Sequence, residues 1–136
     1  MSEFQKFIEK FKLNEKYRKD FDEIIATIDL FGRYGVDEKR FRPKGELNVE
    51  ALLNGPCELR LYLIPCGKCA IILCNGDVKI ADKVQNCPNC KPHWQLTSEL
   101  EKELRERIIE GETKWKFKGN TQELAGNLFF ELGNCD

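Results

Sequence analysis

The chain has 136 residues, 41% hydrophobic and 33% charged, and its 22 basic and 23 acidic groups leave a formal net charge of −1. That length suits one small domain, and the composition excludes bulk disorder, a collagen-like chain and a mucin-like stalk. Residues 1–45 carry +2, residues 46–95 balance and residues 96–136 carry −3, so a nucleic-acid surface would have to be a local patch rather than a property of the whole molecule. No apolar run approaches the roughly 18 residues of a membrane span, and the charged start lacks a signal-peptide apolar region. An intracellular chain, cytoplasmic or nuclear, with no membrane partner is expected.

Phe4, Phe7, Ile8 and Phe11 recur at i, i+3, i+4, i+7, one apolar stripe of a helix. Asn14 can cap a second helix whose stripe is Tyr17, Phe21, Ile24, Ile25 and Ile28, with Gly32 as its stop. The connector from Arg33 to Gly45 concentrates Arg33, Lys39, Arg40 and Arg42 beside the aromatics Tyr34 and Phe41. Basic and aromatic side chains together suit a phosphate backbone with stacked bases, although a solvated loop has the same composition. A short helix is expected near Val49 to Asn54, ending at Gly55-Pro56. A strand follows from Glu58 to Ile64, with Leu59, Leu61 and Leu63 on one face and Glu58, Arg60 and Tyr62 on the other.

Seven cysteines is many for an intracellular chain of this length. Four fall as Cys66-x-x-Cys69 and Cys87-x-x-Cys90 with 17 residues between the pairs, the spacing of a structural zinc site. Each C-x-x-C turn points two sulfurs at one place, and two turns complete a tetrahedron with Zn–S distances of about 2.3 Å. Four thiolates leave no open position, so one structural Zn²⁺ per chain is expected, held by Cys66, Cys69, Cys87 and Cys90. Between the pairs, Ala70 to Cys74 is β-prone, Asn75-Gly76 is a strong hairpin-turn signal, and Asp77 to Ala81 alternates. Pro65-Cys66-Gly67-Lys68-Cys69 with Asn86-Cys87-Pro88-Asn89-Cys90 resembles the knuckle pairs of zinc-ribbon and rubredoxin-like proteins, over residues 65–91 only. The same cysteines also admit an iron site or, at Cys66-x-x-Cys69, a redox dithiol. Cys57, Cys74 and Cys135 have no assigned role, and His93 could be a fifth candidate ligand or a polar neighbour.

Ser98-Glu99-Leu100-Glu101 has the form of a capping box opening a helix, with Leu100, Leu104 and Ile108 inward and Gly111 at its end. Lys114-Trp115-Lys116-Phe117-Lys118 alternates as an edge strand, with Lys114, Lys116 and Lys118 on one side. Asn120-x-x-Glu123 suggests a helix in the tail, and residues 127–132 could be a strand.

The sequence thus predicts an α+β fold: a small single domain with a four-cysteine zinc-ribbon-like hairpin packed against N- and C-terminal helices. Its parts are a helical segment (1–56), the zinc-ribbon-like β module (57–95) and a helix-plus-strand segment (96–136). One histidine and no phosphate loop, nucleophile elbow or H-E-x-x-H leave no readable catalytic constellation. The expected function is a zinc-stabilised, non-enzymatic regulatory or accessory protein acting on nucleic acid or its processing machinery, with Arg33, Lys39, Arg40, Arg42, Lys114, Lys116 and Lys118 as contacts. The alternative is a protein–protein adaptor or inhibitor, and a C-x-x-C redox protein is a third reading. Convergence of those basic residues on one face would favour nucleic acid; scatter would favour the adaptor.

Overall fold

The computed structural model describes residues 2–41, 49–52, 58–66, 70–80, 86–118 and 121–126, with backbone alone for residue 38 and residues 115–118 and 121–126. The fold is α+β in a small single domain, as expected.

Helix α1 (Glu3–Phe11) is opened by a reciprocal cap. The Gln5 N–H donates to Ser2 Oγ at 3.1 Å, and the Ser2 N–H donates to Gln5 Oε1 at 2.8 Å, so two of the helix's unpaired donors are satisfied. A short 3-10 turn capped by Asn14 leads into α2 (Arg18–Tyr34). Helix α2 passes through Gly32 and stops at Gly35, whose φ of 89° is open to glycine. The expected stop at Gly32 is therefore corrected.

Strands β1 (Glu50–Leu52), β2 (Leu59–Pro65) and β3 (Ile71–Val78) form an antiparallel sheet in the order β1-β2-β3. Residues 50–52, expected as helix, are an edge strand because pairing with β2, Glu50 opposite Leu63 and Leu52 opposite Leu61, gives their backbone groups partners. The sheet thus draws a strand from the segment expected to be helical. The Asn75-Gly76 turn is also corrected. Strands β2 and β3 meet instead at Cys66 and Ala70, where the Cys66 N–H donates to the Ala70 carbonyl at 2.9 Å. Asn75 and Gly76 lie inside β3, at a register shift opposite Leu61–Leu63. There the Asn75 side chain accepts the Gly76 N–H at 2.8 Å, the local bond that Asn offers in a turn being used at a bulge.

Alternation along β2 builds two cores. Leu59, Leu61 and Leu63 pack with Phe7, Phe11, Phe21, Ile24 and Phe31 of α1 and α2. Tyr62, on the other face, packs with Cys87, Cys90, Val49 and Trp94. Strand β2 is consequently buried on both faces, which explains its run of large apolar residues. Helix α3 (Lys91–Glu110) carries Trp94 and covers that second face. Asp20 of α2 accepts the Glu58 and Leu59 N–H groups at 2.9 and 3.2 Å, fixing where β2 begins.

Helix α3 begins at Lys91, two turns before the expected Ser98. Its Pro lies in the first turn, where no intrahelical donor is lost, and the Ser98 hydroxyl donates back to the Trp94 carbonyl at 2.8 Å instead of capping. Glu101 is buried and ion-paired to Arg105 at 3.1 Å. Gly111, at φ 81°, ends the helix as expected. Strand β4 (Thr113–Lys118) forms a hairpin with β5 (Thr121–Gly126); the expected helix around Asn120–Glu123 is replaced by β5, which supplies the ladder partner β4 needs. Residues 127–132 and Gly55-Pro56 lie outside the described residues. Among the described residues, no helix is long and apolar enough to cross a membrane.

Candidate metal centre

Cys87 and Cys90 sit in the short passage between β3 and α3, and both are fully buried. The passage is held by the Lys91 N–H donating to the Cys87 carbonyl and the Trp94 N–H to the Cys90 carbonyl, each at 2.9 Å. Both thiols lie against the end of β3. The Ile80 N–H donates to Cys87 Sγ at 3.4 Å, Cys87 Sγ–H approaches the Val78 carbonyl at 3.7 Å, and Cys90 Sγ–H approaches the Asp77 carbonyl at 3.5 Å. Asn89 Nδ2 donates to the Val78 carbonyl at 3.2 Å and fastens the loop between the two cysteines.

The two thiols are hydrogen-bonded to each other but differ in character. Burial disfavours the Cys87 thiolate, yet N–H groups of Ile80, Cys90 and Asn89 and the Cys90 thiol hold its pKa below the ordinary thiol value. Burial pushes Cys90 up to about 12; a hydrogen bond with Tyr62 works against that rise and the neighbouring Cys87 adds to it. A sulfur surrounded by backbone N–H donors is the geometry that supports a thiolate ligand. Cys87 and Cys90 are thus two adjacent buried sulfurs, of which Cys87 is the one held toward its thiolate form.

Cys66 does not join them. It ends β2 and is half-buried; its Sγ–H approaches the Ile64 carbonyl at 3.6 Å, and burial pushes its pKa up to about 11. In the register, Pro65 faces Ile71 while Leu59 faces Val78. Cys66 is thus at one end of the β2–β3 pair and the Cys87/Cys90 pair at the other, separated by roughly 20 Å at the usual strand rise. Four thiolates at about 2.3 Å from one Zn²⁺ must lie within about 4 Å of each other. Among the described residues, no three His, Cys, Asp or Glu side chains gather as a metal-binding group. Cys69, Cys57 and Cys135 lie outside the described residues. Cys74 is buried in β3 and hydrogen-bonded to Thr97. His93 faces Lys10 of α1, with Nε2 3.4 Å from the ammonium, and Asp77 of β3, 3.9 Å away.

The basic residues fall into two groups. Arg33, in the last turn of α2, is paired with Asp29 at 3.1 Å. Lys39 and Arg40 follow on a 3-10 turn and line an open groove with Glu23, Thr27, Leu30 and Asp37. Arg42 lies outside the described residues. Lys114 is exposed on β4, and Lys116 and Lys118 occupy the alternate positions of the same strand. Strand β4 contacts α3, whereas Arg33, Lys39 and Arg40 lie at and just beyond the end of α2. The aromatics divide as well: Tyr34 is 81% exposed, but Phe41 is 5% exposed and packs edge-on against Phe31 at 5.8 Å. Phe41 is a core residue, which removes it from the expected base-stacking set.

Sequence reasoning missed Tyr62, Asp77 and Ile80 as neighbours of the cysteine pair, because strand register brings them there. The early start of α3 had a readable signal in Pro92, a first-turn residue close behind Cys90. No family model, curated protein or solved structure matches this chain.

Proposed function

We propose that this chain is a non-enzymatic interaction protein, a rigid α+β scaffold that binds a protein partner, with the cysteine pair stabilising the junction of β3 and α3. The observation that carries this reading is the mixed charge of the surface at the start of α2. Phosphate binding needs several cations on one face. Here the 3-10 turn and the start of α2 interleave Lys16, Arg18 and Lys19 with Glu15, Asp22 and Glu23, and Arg18 stands 4.0 Å from Glu15 and 3.9 Å from Asp22. A nucleic-acid backbone laid there would meet as many carboxylates as cations, whereas a polypeptide of mixed charge finds complements for both.

Zinc belongs to this proposal as a structural ion. Cys87 and Cys90 would supply two of its sulfurs, Cys90 giving up its proton to the metal, while Cys66, about 20 Å away along the β2–β3 pair, would not join them. Bound there, the metal would add folding free energy at the helix start.

The test for function is a pair of measurements on the purified protein. One is the composition and mass of the native complex, before and after the double reversal K19E/E23K. The other is binding to single- and double-stranded oligonucleotides at two salt concentrations. A defined protein complex lost on reversal supports the adaptor. Oligonucleotide binding that weakens steeply with salt and is lost in K39A/R40A/R42A overturns it in favour of the nucleic-acid reading.

A further inference from the structure

The edge of β3 is closed by a polar junction that neither the cysteines nor the charged faces account for. Lys10, near the end of α1, reaches across this edge. Its ammonium is 3.0 Å from Asp77 Oδ2, 3.2 Å from the Gly76 carbonyl and 3.4 Å from His93 Nε2 on α3. Three elements, α1, β3 and α3, meet at one lysine. Near the start of α1, Glu3 stands 3.4 Å from Asn75 Nδ2 and 2.7 Å from Lys6.

We propose that the Lys10–Asp77–His93 contact is a pH-sensitive latch that holds α1 against β3 and α3 and loosens it when His93 takes up a proton. The reasoning is one of donors and acceptors. An ammonium has donors and no acceptor, so His93 Nε2 can face Lys10 at 3.4 Å only as the unprotonated, accepting nitrogen, with the ring proton on Nδ1. Protonation turns Nε2 into a donor facing a cation. Asp77 lies 3.9 Å from the same nitrogen and can accept from the imidazolium. The carboxylate then exchanges partners, and Lys10 loses one of its acceptors and gains a repulsion.

His93 faces Lys10, Lys6 and Glu3 from α1 and Asp77 from β3. Burial and the two lysines disfavour its charged form, the two carboxylates favour it, and the balance lies toward the neutral ring. A histidine held neutral in the folded state contributes nothing adverse above its unfolded pKa of about 6.5. It becomes destabilising as pH falls below that value toward its lower folded pKa. The latch therefore weakens on the acid side of about pH 6.5.

His93 is the chain's single histidine, so its titration can be followed without assignment ambiguity. The experiment is NMR on the full chain: imidazole shifts across about pH 5 to 8, with amide exchange of Phe7, Ile8 and Phe11 compared with β2 as an internal reference. After correction for intrinsic exchange, opening of α1 is expected to rise at low pH while β2 does not change. The rise should be about tenfold for each unit by which His93 titrates below its free value. H93Q should flatten this dependence, because the amide oxygen can accept from Lys10 at any pH. K10M should raise the His93 pKa even if it loosens α1. Opening of α1 that is independent of pH, or equally dependent in H93Q, or a His93 pKa unmoved in K10M, overturns the latch.

Discussion

Gly76 is pressed against the Arg60 backbone so closely that a β-carbon on it would stand 1.7 Å from the Arg60 carbonyl oxygen. The obstacle is main chain on the neighbouring strand, so no side-chain rotation relieves it. Gly76 is therefore required where β3 bulges against β2. G76A should destabilise the protein by about 1–3 kcal/mol, the usual range for forcing extra volume into packed structure, and chemical denaturation midpoints check it. A stability unchanged within about 0.5 kcal/mol would show that β2 and β3 pair differently at this point.

The metal prediction separates two arrangements. If Cys87 and Cys90 form the core of the site, C87S and C90S abolish zinc binding in dialysed protein, while C66S leaves most of it. If all four cysteines bind one ion, C66S and C69S abolish it equally. Elemental analysis with a thiol-reactivity count on each variant decides between them. Protein purified under reducing conditions with zinc present, yet carrying none in any form, would remove the ion from the proposal.

Phe7 is fully buried, with ring centroids 5.2 Å from Phe11 and 6.1 Å from Phe21. F7A deletes the ring at the point where α1 and α2 meet β2, and should cost about 3–5 kcal/mol. Leu13 is 80% exposed, so L13A should fall within about 0.5 kcal/mol of wild type. Equal effects at the two positions would mean that α1 packs by a different face.

Glu3 offers a smaller, acid-side test. Burial raises its pKa, but hydrogen bonds from Lys6 and Asn75 outweigh this and hold the carboxyl below its usual value of 4.5. A depressed carboxyl contributes stability above its unfolded pKa and loses it as pH falls through the folded one. E3Q should therefore lower stability slightly at neutral pH, by under about 1 kcal/mol for so accessible a pair. The difference from wild type should shrink as pH falls below 4.5 and vanish once pH is below the lowered folded pKa. Thermal melts at about pH 3 and pH 7 read both.

Much of this architecture is carried by local pattern. The α1 and α2 stripes, the alternation of β2, the strand at Thr113–Lys118 and the stop at Gly111 follow from side-chain period and glycine chemistry, and each is where the residues place it. The failures share a different cause. Asn75-Gly76 reads as a hairpin turn, but the pairing of Leu61 with Gly76 and Leu63 with Leu73 makes it a bulge, and pairing is a long-range property. Residues 50–52 have little intrinsic preference and become a strand because β2 has a free edge. The cysteine spacing correctly describes a tight loop at Cys87–Cys90. It carries no information about which end of β3 that loop returns to, and that decides whether Cys66 is a neighbour or lies at the far end.

The 66-residue separation between Lys10 and the Gly76 carbonyl that it binds has a consequence for biosynthesis. A ribosome adding about 5–20 residues per second needs roughly 3–13 s to make the strand on which α1 rests. During that interval Phe4, Phe7 and Phe11 have no sheet to cover them. Cells making this chain should therefore show its nascent N-terminal segment held by chaperones that recognise exposed aromatic stripes, and released as β3 and α3 emerge.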